Sequence, residues 1–167
     1  MSNSLNFFDD VFFCGEYRHS LDSQQRLAIP KEWRKHEDLH FVLFPGRDSL
    51  MLMPIDSFKD FLQKARKVSI ADRTAQLALA QIGAKVQQCR CDKQGRIKIN
   101  KNLLDSLNIN DQAVLIGSFS NIQIWNPAVW DDLNTCDSES TLDEVQKISE
   151  RPDALMDNFQ ALMDKIN

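Results

Sequence analysis

Glycine is scarce in this chain, with five residues among 167 at positions 15, 46, 83, 95 and 117. So few leave no G-x-G-x-x-G fingerprint and no phosphate-cradling P-loop. No Ser or Cys sits in a nucleophile-elbow context, so catalysis by that route is not expected. No apolar run approaches the ~18 residues needed to cross a bilayer. The N-terminal Met1–Asp10 lacks the basic start and small-residue cleavage site of a signal peptide. The four cysteines (Cys14, Cys89, Cys91 and Cys136) follow no framework spacing, which fits a reducing compartment. Cys89 and Cys91 read as buried thiols on one face of a strand. These absences predict a cytoplasmic protein with no cofactor and no enzymatic activity.

Positive charge is also short overall, with 20 basic against 24 acidic residues and a net charge of −4. Its distribution is uneven. Residues 131–167 hold ten acidic and three basic side chains, a net of −7. The remaining 14 acidic and 17 basic residues give residues 1–130 a net of +3. The body is therefore mildly basic and the tail acidic, which keeps a nucleic-acid partner open.

What is present is a repetition. Asp22-Ser-Gln-Gln-Arg26, followed by Leu-Ala-Ile, returns 70 positions later as Asp92-Lys-Gln-Gly-Arg96, followed by Ile-Lys-Ile. Residues 42–52 then match 114–124 at an offset of 72, placing a two-residue length difference in the intervening loop. The correspondence runs on to Phe58 over Trp130. A charged turn, an apolar hairpin and a closing aromatic in one order mark a duplicated module. Each unit of roughly sixty residues is marginal alone, so the two are expected to share a core with each other or with other subunits.

The local pattern gives a β-rich α+β fold. In the first unit, residues 16–21 read as a strand entering the Asp22–Arg26 turn, and residues 27–29 as a second strand stopped by Pro30. Lys31 onward suits one or two helical turns. Residues 41–44 and 50–53 flank a Pro-Gly-containing turn as a hairpin. Asp56 is placed to cap a helix through Phe58, Phe61, Leu62 and Ala65. Residues 66–74 form a polar connection to a helix through Leu77, Leu79 and Ile82. The second unit repeats the order: strand 86–91, turn 92–96, strand 97–99, helix 101–107, hairpin 113–125, then a helical turn from Pro127. Residues 134–140 read as a linker, and Thr141-Leu-Asp-Glu144 as a capping box. Leu155, Phe159, Leu162 and Ile166 make the apolar stripe of a final amphipathic helix. The expected divisions are 1–70, a first unit with its trailing helix; 71–132, a second unit; and 133–167, an acidic helical extension.

The doubled Asp-x-x-x-Arg turn is the candidate site. Asp22 and Asp92 can accept backbone N–H bonds two residues on and brace each turn. Gly95 supplies a residue free to take positive φ, whereas Gln25 stands at that place in the first copy. A braced Arg26 or Arg96 can fork two bonds to a phosphate or a guanine edge, or else pair with its own aspartate. Lys93, Lys98 and Lys31 are candidate phosphate contacts, with Arg18 and Arg34 near the first turn. A competing pattern, His36-Glu37-Asp-Leu-His40, matches the H-E-x-x-H of zinc hydrolases. It needs a sustained helix and a third ligand, yet His40 runs straight into a strand pattern and the second unit has no counterpart.

On Gly15–Pro30, Asp92–Ile99 and Ile122–Trp130, the chain resembles the MraZ family of bacterial transcriptional regulators, built from two SpoVT/AbrB-like units. The resemblance covers about residues 12–132. It implies two tandem swapped-hairpin β-barrel units with helices between and after them, followed here by the acidic tail. It further implies a ring-like homo-oligomer that binds short direct repeats of double-stranded DNA ahead of the division and cell-wall gene cluster, usually as a repressor. The family's DNA-contacting arginine falls on Arg26 and, in the second copy, Arg96. This chain departs from the family pattern with Gln24-Gln25 in place of Lys-Gly and Asn100 in place of a frequent proline. An AbrB-like interaction or antitoxin-type module working through the acidic tail is the alternative from another class.

Overall fold

A computed structural model describes residues 12–34, 39–135 and 138–150. The first half of the chain forms strands β1 (Phe13–Ser20), β2 (Arg26–Ala28), β3 (His40–Pro45) and β4 (Ser49–Pro54), with a 3-10 turn at Lys31–Trp33. Helices α1 (Ile55–Arg66) and α2 (Arg73–Gly83) follow. The second half repeats the order with β5 (Gln87–Arg90), β6 (Arg96–Lys98), helix α3 (Lys101–Ser106), β7 (Gln112–Phe119) and β8 (Asn121–Trp125). Helices α4 (Pro127–Leu133) and α5 (Ser138–Ser149) close it. This is the α+β, β-rich class that the pattern of alternation predicts.

The two repeats interlock. One antiparallel sheet runs in the order β1-β7-β8-β4-β3-β5, and β2 pairs with β6 as a separate two-stranded ribbon. Each repeat's first strand therefore leaves its own hairpin and pairs with the hairpin of the other repeat. Exchanging β1 with β5, β3 with β7 and β4 with β8 reverses the strand order and leaves it unchanged, which is a pseudo-twofold relation. Its axis passes between equivalent residues that face each other: Leu27 and Ile97 in the ribbon, Met51 and Gln123 in the sheet.

Hydrophobic burial joins the two repeats in one core. Leu27, Ile29, Leu43, Leu50 and Leu52 of the first are buried in one cluster with Ile97, Ile99, Leu115, Ile122 and Ile124 of the second. Burying each such side chain stabilises the fold by about 1.5–3 kcal/mol relative to exposure. Trp33 seals this core next to Phe13 and Tyr17, with ring centroids 5.8 and 5.0 Å away in edge-on contact. Its indole N–H donates to the Cys14 carbonyl at 3.1 Å. Gly117 faces Gly15 across β1 and β7, and a Cβ there would lie 2.3 Å from the Cys14 backbone nitrogen. Only glycine lets those two strands approach so closely.

Several local expectations need correction. Asp56 does not cap α1; it sits in the first turn, and Pro54 occupies the N-cap with no side-chain bond. The side-chain cap belongs instead to Asp72, which accepts from the Ala75 N–H at 3.0 Å and starts α2. Thr141 lies inside α5, which begins at Ser138, so the capping-box reading and the last part of the 134–140 linker give way to helix. The apolar stripe from Leu155 to Ile166 lies outside the described residues, as do His36 and Glu37.

The chain divides into two compact units after Pro127. The first holds the eight strands described above with α1, α2 and α3. The second contains α5, whose Leu142, Val145 and Ile148 are exposed at 68%, 56% and 55% on a three-residue spacing. Among the described residues, no helix is long and apolar enough to cross a membrane.

Candidate nucleic-acid interface

Both Asp-x-x-x-Arg turns close by the same bonds. The Asp22 Oδ1 accepts from the backbone N–H groups of Gln24 at 2.9 Å and Arg26 at 3.0 Å. Asp92 does the same for Gln94 and Arg96, both at 2.9 Å. Gln25 N–H donates to the Asp22 carbonyl at 3.0 Å, and Gly95 N–H to that of Asp92 at 2.8 Å. The residue before each arginine takes a left-handed conformation, with φ of 57° at Gln25 and 75° at Gly95. Glutamine thus adopts what glycine adopts in the second copy, and the first turn keeps its shape.

The left-handed residues also clasp the repeats together. Their carbonyls turn outward, so Gln25 accepts from Ile99 N–H at 3.0 Å and Gly95 accepts from Ile29 N–H at 2.9 Å. Between these clasps, β2 and β6 pair in the register Arg26 with Lys98, Leu27 with Ile97, and Ala28 with Arg96. Alternation sends Leu27 and Ile97 into the core and leaves Arg26, Ala28, Arg96 and Lys98 on the opposite face. The two arginines are diagonal neighbours across the ribbon, a separation of about 7–8 Å.

Each arginine does pair with its own aspartate, but by one edge. Arg26 Nε donates to Asp22 Oδ2 at 2.7 Å. Among the described residues both Nη nitrogens of Arg26 lack a hydrogen-bond partner, so its outer edge stays available. Arg96 donates to Asp92 Oδ2 from Nε at 2.9 Å, and its Nη2 pairs with the same oxygen at 2.8 Å. Its Nη1 lies 3.6 Å from Asp22 Oδ2, so Asp22 serves both repeats. The backbone N–H of Arg26, then its side chain, hold the Asp22 carboxyl down to about 2 against a desolvation cost that raises it. The Arg96 backbone N–H and guanidinium likewise lower Asp92. Both braces are therefore fully charged at neutral pH, and pairing and presentation are two uses of one guanidinium.

The sequence-predicted cations separate here. Arg26, Arg96 and Lys98 share the ribbon face, and Lys93 is exposed at the tip of the second turn. Lys31 lies off the ribbon, exposed on the 3-10 turn. Arg18 is bonded to Glu16 at 2.9 Å. His40 begins β3 opposite Arg90, in a strand rather than a helix. Burial pushes the Cys89 thiol up to about 12 and the Cys91 thiol up to about 11, as suits packing residues. Sequence reasoning missed the sharing of Asp22 and the place of Arg34, which crosses to the second turn. Only the pairing between repeats, which no local pattern contains, brings those groups together.

Two stretches, residues 12–81 and 83–149, match the family model described as "MraZ protein, putative antitoxin-like". The chain belongs to the MraZ family. The second match continues past residue 132 and takes in α5. Among similar proteins, the transcriptional regulator MraZ of Alkaliphilus metalliredigens is 32% identical over 134 residues, 80% of this chain and 93% of that protein. The MraZ transcriptional regulators of Clostridium tetani and Clostridium acetobutylicum are 32% and 30% identical, covering 87% and 97% of those proteins.

Proposed function

We propose that this MraZ-family chain is a sequence-specific, DNA-binding transcriptional regulator without catalytic activity, working on the nucleoid in the cytoplasm. The observation that carries this reading is the pair of aspartate-braced arginines on the outer face of the β2–β6 ribbon. A two-stranded ribbon fits the roughly 12 Å wide major groove of B-DNA. Arginine forks on its outer face can meet base edges or phosphates there, with Lys98 and Lys93 adding phosphate contacts. The relatives' names as transcriptional regulators support the same role.

One ribbon offers few contacts. A ring-like homo-oligomer would repeat it and engage direct repeats of DNA, raising effective concentration along the duplex. The targets in this reading are direct repeats ahead of the division and cell-wall genes, with repression as the outcome. The test is a binding titration on duplex from that promoter at several salt concentrations, with the oligomer's mass measured alongside. Arg26→Ala removes one contact from every engaged subunit, so affinity should fall by far more than one contact's worth. The salt slope should flatten by about 0.9 per lost phosphate contact. Arg96→Ala should cost more than Arg26→Ala, because the second turn keeps Lys93 and Gly95 around its arginine where the first has Ser23 and Gln25. Unchanged affinity and slope in Arg26→Ala would refute the assignment.

A second reading is favoured by α5, whose exposed Leu142, Val145 and Ile148 suit a protein partner. Truncation after residue 133 separates the two: a regulator keeps DNA binding, whereas an antitoxin-type adaptor loses its partner.

A further inference from the structure

Arg34 stands where the second repeat has Leu104, 70 positions on, and the two behave differently. Leu104 is a core residue, 3% exposed. Arg34 is half-buried and reaches from the first repeat onto the second repeat's turn. A Cβ built on Gly95 would lie 2.1 Å from Arg34 Nη1 and 2.2 Å from its Cζ, so the guanidinium rests directly against that glycine. The backbone of Ile29 fixes this position from both ends. Its N–H donates to the Gly95 carbonyl at 2.9 Å, and its carbonyl accepts from Arg34 Nε at 3.0 Å.

The charge needs a reason. Packing alone would be met by an apolar side chain, as Leu104 demonstrates in the other repeat, and a half-buried guanidinium carries a desolvation cost. Among the described residues neither Nη nitrogen of Arg34 has a hydrogen-bond partner. Arg34 Nη1 lies against Gly95, the residue that the chain places between Lys93 at the turn tip and Arg96 at the start of β6. The second turn thus carries Lys93 and Arg96 with Arg34 resting on its glycine, while its own carboxylate, Asp92, is taken up by backbone N–H groups and Arg96, whose Nη1 also lies 3.6 Å from Asp22 Oδ2. The first turn has Ser23 in place of Lys93, and the counterpart of Arg34 in the second repeat is Leu104.

We propose that Arg34, Lys93 and Arg96 form a composite phosphate clamp on the second turn, which grips one DNA backbone phosphate and exists on one side of the ribbon only. The clamp rests on the DNA-binding reading above and deepens it. Arg34 would act here as a direct phosphate ligand, positioned by Ile29 and Gly95.

The test compares the full-length protein with Arg34→Gln, Arg34→Lys and Arg26→Ala on the same promoter duplex across a salt series. Melting temperature and oligomer mass are recorded for each. Arg34→Gln keeps an amide donor for the Ile29 carbonyl while removing the charge. It should bind more weakly and flatten the log–log salt slope, by at most about 0.9 per engaged subunit because Lys93 and Arg96 stay on the same phosphate. Arg34→Lys should keep the wild-type slope. Wild-type affinity and slope in Arg34→Gln, or an equal loss in Arg34→Lys, would overturn the clamp. If Arg34→Gln does not fold, Lys93→Gln at the exposed tip must produce the same slope change, and its failure to do so also overturns the clamp. Loss in Arg26→Ala with none in the Arg34 and Lys93 variants refutes the clamp alone; no loss in any variant refutes the DNA reading itself.

Discussion

Gln25→Gly should stabilise this protein, although it removes a side chain. Gln25 holds φ at 57°, a region that costs an ordinary L-residue about 1–2 kcal/mol. Its side chain recovers little, since Nε2 makes one exposed bond, to the Ser23 carbonyl at 3.2 Å. Glycine adopts this conformation without strain but has more freedom to lose on folding, an opposing term of about 0.5–1 kcal/mol. The balance is a gain of about 0.5 kcal/mol. The reverse exchange, Gly95→Gln, imposes the left-handed cost at φ 75° and drives a Cβ into the Arg34 guanidinium. It should lose more than about 1 kcal/mol. Urea denaturation at one fixed protein concentration reads both, because a shift in midpoint at constant slope reports stability. DNA affinity should stay near wild type in Gln25→Gly, since Asp22 still orients Arg26. A lowered midpoint in Gln25→Gly, or an unshifted one in Gly95→Gln, would refute the claim that the two turns share one strained conformation.

Two further outcomes follow from the charged braces and the thiols. Asp22 is depressed to about 2 in the folded protein, below the roughly 3.9 of an unfolded aspartate. Its contribution is therefore complete above about pH 4 and is lost as pH falls towards 2. Urea midpoints of wild type should drop across that window, and Asp22→Asn should be less stable at neutral pH with a shallower acid decline. Cys89 and Cys91, pushed up to about 12 and 11, hold few thiolates at pH 8. Peptide mapping after brief iodoacetamide treatment of the native protein should find the exposed Cys14 alkylated well ahead of both.

Much of this was legible locally because the signals are local. An aspartate four residues before an arginine closes its own turn, and period-two alternation around Leu43 and Leu115 places each hairpin. The exchange of β1 and β5 between repeats was implied by the family resemblance but not by the residue pattern, because both strands present the same alternation to either hairpin. Only the shared core of Leu27, Ile97 and their neighbours decides which pairing buries more. Every functional feature that escaped the sequence depends on that exchange: Asp22 within reach of Arg96, the carbonyl of Gln25 on Ile99, and Arg34 over Gly95. The backbone relation is close to twofold about Leu27 and Ile97, yet the side chains around it are not. Ala28 is the counterpart of Lys98, Ser23 of Lys93 and Leu104 of Arg34 at an offset of 70. A duplicated backbone with one charged flank gives the ribbon a direction, which the proposed binding of direct repeats would require and a symmetric ribbon would lack.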